Sequence, residues 1–193
     1  MFYVDIDGVV IDSEPFFVRE LCIFTGHPFI PPKPRTFDFR DGFPEGLLNL
    51  KEMKTVIDHT LFKYHDLMPL SHHRSTALAL ELIAHRFGKV NFITARDDSL
   101  YEITRMQIQQ HMGSLPCEYS FVGHDGMKHN RMEDITHFID DRFKNAYDVA
   151  KAHPDVKVFL LDRPWNQGRE IEFSNCTRVK NLLEAVKTLD ITL

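Results

Sequence analysis

The chain opens with a short apolar run, "FYV", that breaks on Asp5 and Asp7 and is closed by Gly8. Four further runs of this kind follow, rich in β-branched and aromatic residues: "VNFI" at 90–93, "YSFV" at 119–122, "HFID" at 137–140 and "KVFLL" at 157–161. Short, near-continuous apolar runs of this type mark strands buried on both faces. Between them the apolar spacing lengthens to a helical period: "STALALELIAHRF" before the second strand, "SLYEITRMQIQQHM" after it, "KNAYDVAKAH" after the fourth and "TRVKNLLEAVKTL" near the end. Asp98 or Ser99 stands where the second of these helices needs a cap, and Pro154 lies just beyond the third. Strands alternating with helices predict parallel pairing, right-handed crossovers and helices on both faces. The fold class is α/β, a doubly wound (Rossmann-like) parallel sheet of about five strands.

Residues 14–72 break the alternation. They contain "GHPFIPPKPRTFDFRDGFP", dense in Pro, Gly and Phe, between helical patterns at 15–25 and 46–66. We read this stretch as a small, mostly helical cap inserted after the first strand; a structureless loop across its middle is the alternative, and long loops of that kind are uncommon inside compact domains. The α/β core then comprises residues 1–13 and 73–193, and the cap residues 14–72.

Composition narrows the setting. With 193 residues, 43% of them hydrophobic, the chain buries a sizeable core. A formal charge of −5 argues against a nucleic-acid partner, which calls for clustered Lys and Arg. Cys22, Cys117 and Cys176 are widely spaced with no CxxC, which fits a reducing, cytoplasmic location. No apolar run is long enough for a membrane span and no signal peptide is apparent, so no membrane partner is expected.

In an open parallel sheet, ligands bind outside the carboxyl ends of the strands. There the first strand ends in "DIDG", the second in "FITAR" and the fourth in "FIDDR", bringing Asp5, Asp7, Thr94, Arg96, Asp140, Asp141 and Arg142 to one edge, with Lys128 upstream in "GMKHN". Four carboxylates gathered there require raised pKa values or a bound cation, and an oxygen-rich site suits Mg²⁺. Thr94, the Ala95 N–H and Lys128 are placed to neutralise phosphoryl oxygens, which makes the edge a candidate phosphoryl-transfer site. His129 and Arg131 compete with Lys128 for the cationic role. Asp140 and Asp141 cannot point the same way from an extended strand, so one binds metal directly and the other directly or through water; Asp141 is the expected closer ligand. The rival roles are an Asx turn at Asp5 and Asp7 and a helix N-cap at Asp140 and Asp141.

The set "DIDGVV", "FITAR", Lys128 and "FIDDR", in that order and strand context, resembles the four motifs of the haloacid dehalogenase superfamily of aspartate-nucleophile phosphatases. The insertion after the first motif, "IDDR" and the later "LLDRPWN" look most like the 5'(3')-deoxyribonucleotidases. The resemblance implies a Mg²⁺-dependent phosphomonoesterase acting on nucleoside monophosphates, most simply deoxyribonucleotides, through an aspartyl-phosphate. Asp5 is then the nucleophile, and Asp7 protonates the leaving alkoxide and deprotonates the attacking water. The implied metal set is Asp5, Asp7 through its carbonyl, Asp140 and Asp141.

The cap is expected to select the substrate, a small phosphomonoester, with Phe16, Phe17, Phe37, Phe39 and Arg40 as candidate contacts. Arg96 either faces substrate phosphate or pairs with Asp97 or Asp98. Arg163, Trp165 and Asn166 are expected in a structural loop, and a homodimer is left open. A sugar phosphatase and a non-catalytic phosphate- or nucleotide-binding protein are the alternatives. Eleven histidines, with "HD" pairs at His65–Asp66 and His124–Asp125, raise an HD-type metal site, but that fold needs helices where this chain has strands.

Overall fold

The computed structural model describes residues 1–124 and 126–189. Its centre is one parallel sheet built from β1 (Phe2–Val4), β2 (Val90–Thr94), β3 (Cys117–Phe121), β4 (His137–Asp140), β5 (Lys157–Leu161) and β6 (Cys176–Val179), in the order β3-β2-β1-β4-β5-β6. Strand order reverses at β1, which pairs with β2 through Tyr3↔Asn91 and with β4 through Val4↔Ile139. The crevice for a ligand therefore opens above the ends of β1 and β4.

The doubly wound expectation holds, with one strand more than the five predicted. "CTRV", read from sequence as the start of the last helix, is β6, and that helix, α6 (Leu182–Lys187), begins only after Asn181, whose side chain accepts the Glu184 N–H. Thr177 and Val179 are β-branched and pair with β5, and the asparagine cap divides strand from helix. The third strand also starts two residues earlier than predicted, at Cys117.

Alternate residues of the strands feed two core layers, as the two-residue period requires. Phe2, Val4, Phe92, Ile139 and Phe159 face α3 (His73–Phe87), α4 (Tyr101–Met112) and α6. Tyr3, Ile93, Phe138, Val158 and Leu160 face α5 (Phe143–Ala152). The segment between β1 and α3 carries α1 (Glu14–Thr25) and α2 (Leu50–Tyr64), packed on each other around Leu21, Phe43 and Leu48. A capping box starts α2: Asn49 Oδ1 accepts the Glu52 N–H at 3.0 Å and Glu52 Oε2 accepts the Asn49 N–H at 2.9 Å. Between α1 and α2 the chain is irregular apart from one 3-10 turn at Phe39–Gly42. Pro28, Pro31, Pro32 and Pro34 remove donors and bias the residues before them away from helix, so the insertion is helical at its ends and not in its middle.

Candidate active site

Beyond β1 the backbone folds into a tight turn in which the Val10 and Ile11 N–H groups both donate to the Ile6 carbonyl, at 2.9 Å each. Gly8 takes φ +80° there, and a Cβ on it would overlap Asp141 Oδ2, so the residue is required by backbone and by neighbour alike. Arg163 donates from Nε to the Gly8 carbonyl at 2.9 Å and from Nη2 to Ser71 Oγ at 2.6 Å, fixing the turn from outside.

Asp5, Asp140 and Asp141 converge with ligand oxygens within 4.8 Å of one another, all three buried. Lys128 is buried between two of them, with Nζ at 2.5 Å from Asp5 Oδ1 and 2.7 Å from Asp140 Oδ2. Of the three cations offered by "GMKHNR", the lysine is the one that enters the cluster. Asp140 also accepts from Asn145 Nδ2 at 3.0 Å and from the Arg142 N–H at 2.7 Å, so its oxygens are engaged by the protein. Asp141 is supported through its backbone: its carbonyl accepts from Asn166 Nδ2 at 2.8 Å and Trp165 Nε1 at 3.3 Å.

Burial pushes the Asp5 carboxyl up, Lys128 pulls it back and Asp140 adds to the rise, leaving it at about 7. Burial, then the Asp140 and Asp5 charges, raise Asp141 well above the usual carboxylate range. Burial also works against charge on Lys128, but Asp140 and Asp5 outweigh it and raise the ammonium. Three carboxylates crowded around one ammonium thus favour either protonation of Asp5 and Asp141 or a bound cation. That donor set fits a hard divalent cation, with Asp5, Asp141 and Asp140 as the side chains able to hold it.

Asp7 stands apart from this cluster. Its carboxylate is bound bidentately by Arg96, Nε to Oδ2 and Nη2 to Oδ1, both at 2.8 Å. Burial opposes its ionisation, but Arg96, helped by Ser13, outweighs this and holds the carboxyl below its ordinary value. Arg96 is thus committed to Asp7, and neither Asp97 nor Asp98 is its partner. Thr94 Oγ1 accepts the Arg96 N–H at 3.2 Å.

Above the carboxylates lies a cavity of about 520 Å³, with Thr94, Ala95, Lys128 and the aspartates on its floor. Its walls come from the insertion: Phe17, Phe37, Phe39, Met53, Ile57 and Leu61. Arg40 reaches the rim but is bound to Asp38, Nη2 to Oδ2 at 2.6 Å. Phe16 lies outside the cavity, its ring against Tyr64 at 5.7 Å. His124 sits at the rim with Nε2 at 2.9 Å from Asp58 Oδ1; Asp125, its partner in the "HD" pair, lies outside the described residues. Sequence reading missed Asn145 and Ser13, which carry no motif signal, and the bracing of Asp141 by Asn166, which lies in "LLDRPWN" and is expected from sequence only as a loop residue.

The fold is shared with several solved structures. Its solved counterparts include a hydrolase from Pseudomonas syringae, matched over 98% of this chain and 97% of that one with TM-score 0.59 and 12% identity. CbbY from Rhodobacter sphaeroides, in complex with phosphate, matches over 95% and 94% with TM-score 0.60 and 12% identity. A HAD hydrolase of family IA, variant 3, from Entamoeba histolytica matches over 96% and 98% with TM-score 0.54 and 10% identity. At these identities the likeness is one of fold. No protein-family model matches the sequence, and no curated protein does.

Proposed function

We propose that the chain is a Mg²⁺-dependent phosphomonoesterase working through Asp5. The observation that carries the reading is the buried Asp5, Asp140 and Asp141 cluster with Lys128 inside it, beneath a cavity at the switch point of the sheet. In this reading a phosphoryl group rests on Thr94, the Ala95 N–H and Lys128, and an Asp5 oxygen attacks phosphorus as the ester P–O bond breaks. Asp7, which Arg96 holds ionised at rest, takes up a proton on substrate binding and passes it to the leaving oxygen, then takes one from the water that hydrolyses the aspartyl-phosphate and releases inorganic phosphate. Mg²⁺, when bound, supplies the positive charge that offsets the phosphoryl oxygens and the carboxylates. Residues 14–72 act as the substrate-selecting cap over a core of 1–13 and 73–193. The three unpaired cysteines suit a reducing cytoplasm.

Two leaving groups have support. The apolar and aromatic wall favours a nucleobase, hence a nucleoside monophosphate, since such walls reward flat apolar surface. The fold likeness favours a sugar phosphate: a CbbY variant is described in complex with xylulose bisphosphate. Phosphate release from nucleoside monophosphates and deoxyribonucleotides, sugar phosphates and an aryl phosphate, with Mg²⁺ and with chelator, separates them. Mg²⁺-dependent release that is abolished in Asp5→Asn is expected; an Asp5→Asn variant with full activity would sink the mechanism.

A further inference from the structure

We infer that Thr104 and Gln107 are positioning residues for Asp7, acting through Arg96. The inference rests on the phosphomonoesterase reading for its kinetic consequence and on geometry for the rest. Arg96 uses one edge of its guanidinium for Asp7 and turns the other to α4, where Nη1 donates to Thr104 Oγ1 at 3.0 Å and to Gln107 Oε1 at 2.9 Å. Thr104 and Gln107 are three residues apart, so they share one helix face. Both are fully buried, and Arg96 itself is 2% exposed.

The orientation of Gln107 is dictated by this contact. Among the described residues its Nε2 is buried with no hydrogen-bond partner, and rotating the amide would aim that N–H at the guanidinium and remove an acceptor from it. A buried donor left unpaired is unfavourable, so its persistence marks the acceptor on the same amide as the group that matters. The helix therefore devotes two buried polar side chains to an arginine whose far edge ends on Asp7. A neutralising cation alone would not need such fixing; a guanidinium held on one side and bidentate on the other sets direction. The Asp7 side chain is the less buried partner, 25% exposed against 2% for Arg96, so the arginine is the fixed half. Asp7 is thereby held on the cavity floor beside the Asp5 cluster rather than inside it.

The kinetic consequence depends on the leaving group. As Asp5 bonds to phosphorus and the ester P–O bond breaks, an alkoxide must take the Asp7 proton, whereas 4-nitrophenolate leaves without one. The test compares the single-turnover rate of leaving-group release, which precedes the aspartyl-phosphate hydrolysis that both esters share, for an alkyl phosphate and 4-nitrophenyl phosphate in wild type, Thr104→Val, Thr104→Ser and Gln107→Met. Thr104→Val and Gln107→Met are expected to lower that rate on the alkyl ester about ten-fold or more, with 4-nitrophenyl phosphate within about two-fold. Thr104→Ser, which keeps the hydroxyl, restores the rate. Equal losses on both esters, or none, overturn the inference. A second readout needs no activity: solvent exchange of the Arg96 Nε proton, followed by NMR, should speed up about ten-fold in Thr104→Val and return in Thr104→Ser. Unchanged exchange overturns the positioning role. Faster exchange in a protein whose wild type hydrolyses neither ester supports the positioning role and overturns the reaction instead.

Discussion

Lys128 is buried, and its charge is matched by two carboxylates that are buried with it. Removing one partner of a buried ion pair leaves the other charges uncompensated, at about 3–5 kcal/mol. Lys128→Met should therefore destabilise by about that much near pH 8. The sign with pH follows from the carboxyls. An acid whose folded pKa is raised, as Asp5 already is to about 7, favours the folded state when protonated and disfavours it as pH rises through that value. The deficit should be smaller at pH 5 than at pH 8, measured by urea denaturation at both. An equal deficit would mean that the lysine matters through packing alone. The aspartates were readable in sequence because each follows an apolar run that ends at the same edge of a parallel sheet. The Arg96–Asp7 pair was not, since its partners lie 89 residues apart and Asp97 and Asp98 offered nearer ones.

At the scale of the element, β4 begins with His137, a polar residue within a strand paired on both sides. Its ring stacks on Phe2 at 5.4 Å, nearly parallel at 13°, and meets Phe87 at 5.4 Å. Burial, then Lys157, the chain's amino terminus and Arg86, depress its pKa from 6.5 to about 4. The unfolded chain thus takes up the proton first, so stability is intact above about pH 6.5 and is lost as pH falls towards 4. His137→Phe keeps the stack and cannot titrate. It should raise Tm relative to wild type at pH 4.5 more than at pH 7.5; a difference independent of pH would remove the histidine from acid sensitivity. The same strand shows what the pattern could reveal: "HFID" is apolar enough to be read as buried, as were four others, of which β3 lies at the sheet edge and is only partly buried. β6 escaped because "CTRV" is short, half-exposed and runs within two residues into an amphipathic helix, so its period merged with the helical one.

At the scale of the whole molecule, the cavity's floor belongs to the sheet and its walls to the insertion, so the site exists only while the two stay together. Part of that hold is aromatic and lies in the irregular stretch whose order sequence left open. The Arg35 guanidinium lies over the Trp165 ring at 5.4 Å and forms an ion pair with Glu14, Phe37 meets Trp165 edge-on at 6.4 Å, and Arg142 covers the Phe37 ring at 4.7 Å. Trp165 also donates to the Asp141 carbonyl, so one indole touches both the strap and the backbone of a candidate metal ligand. Each such contact stabilises by only about 0.5–2 kcal/mol, enough to govern local opening but small against global stability. Trp165→Ala should therefore expose the strap without unfolding the chain. Trypsin cleavage after Arg35 is expected to accelerate about ten-fold, while the urea midpoint moves far less in proportion. Trp165→Phe, which retains a ring, should fall near wild type. If cleavage in Trp165→Ala stayed at the wild-type rate, the indole would not hold the strap, and closure of the cavity would have to come from α1 and α2.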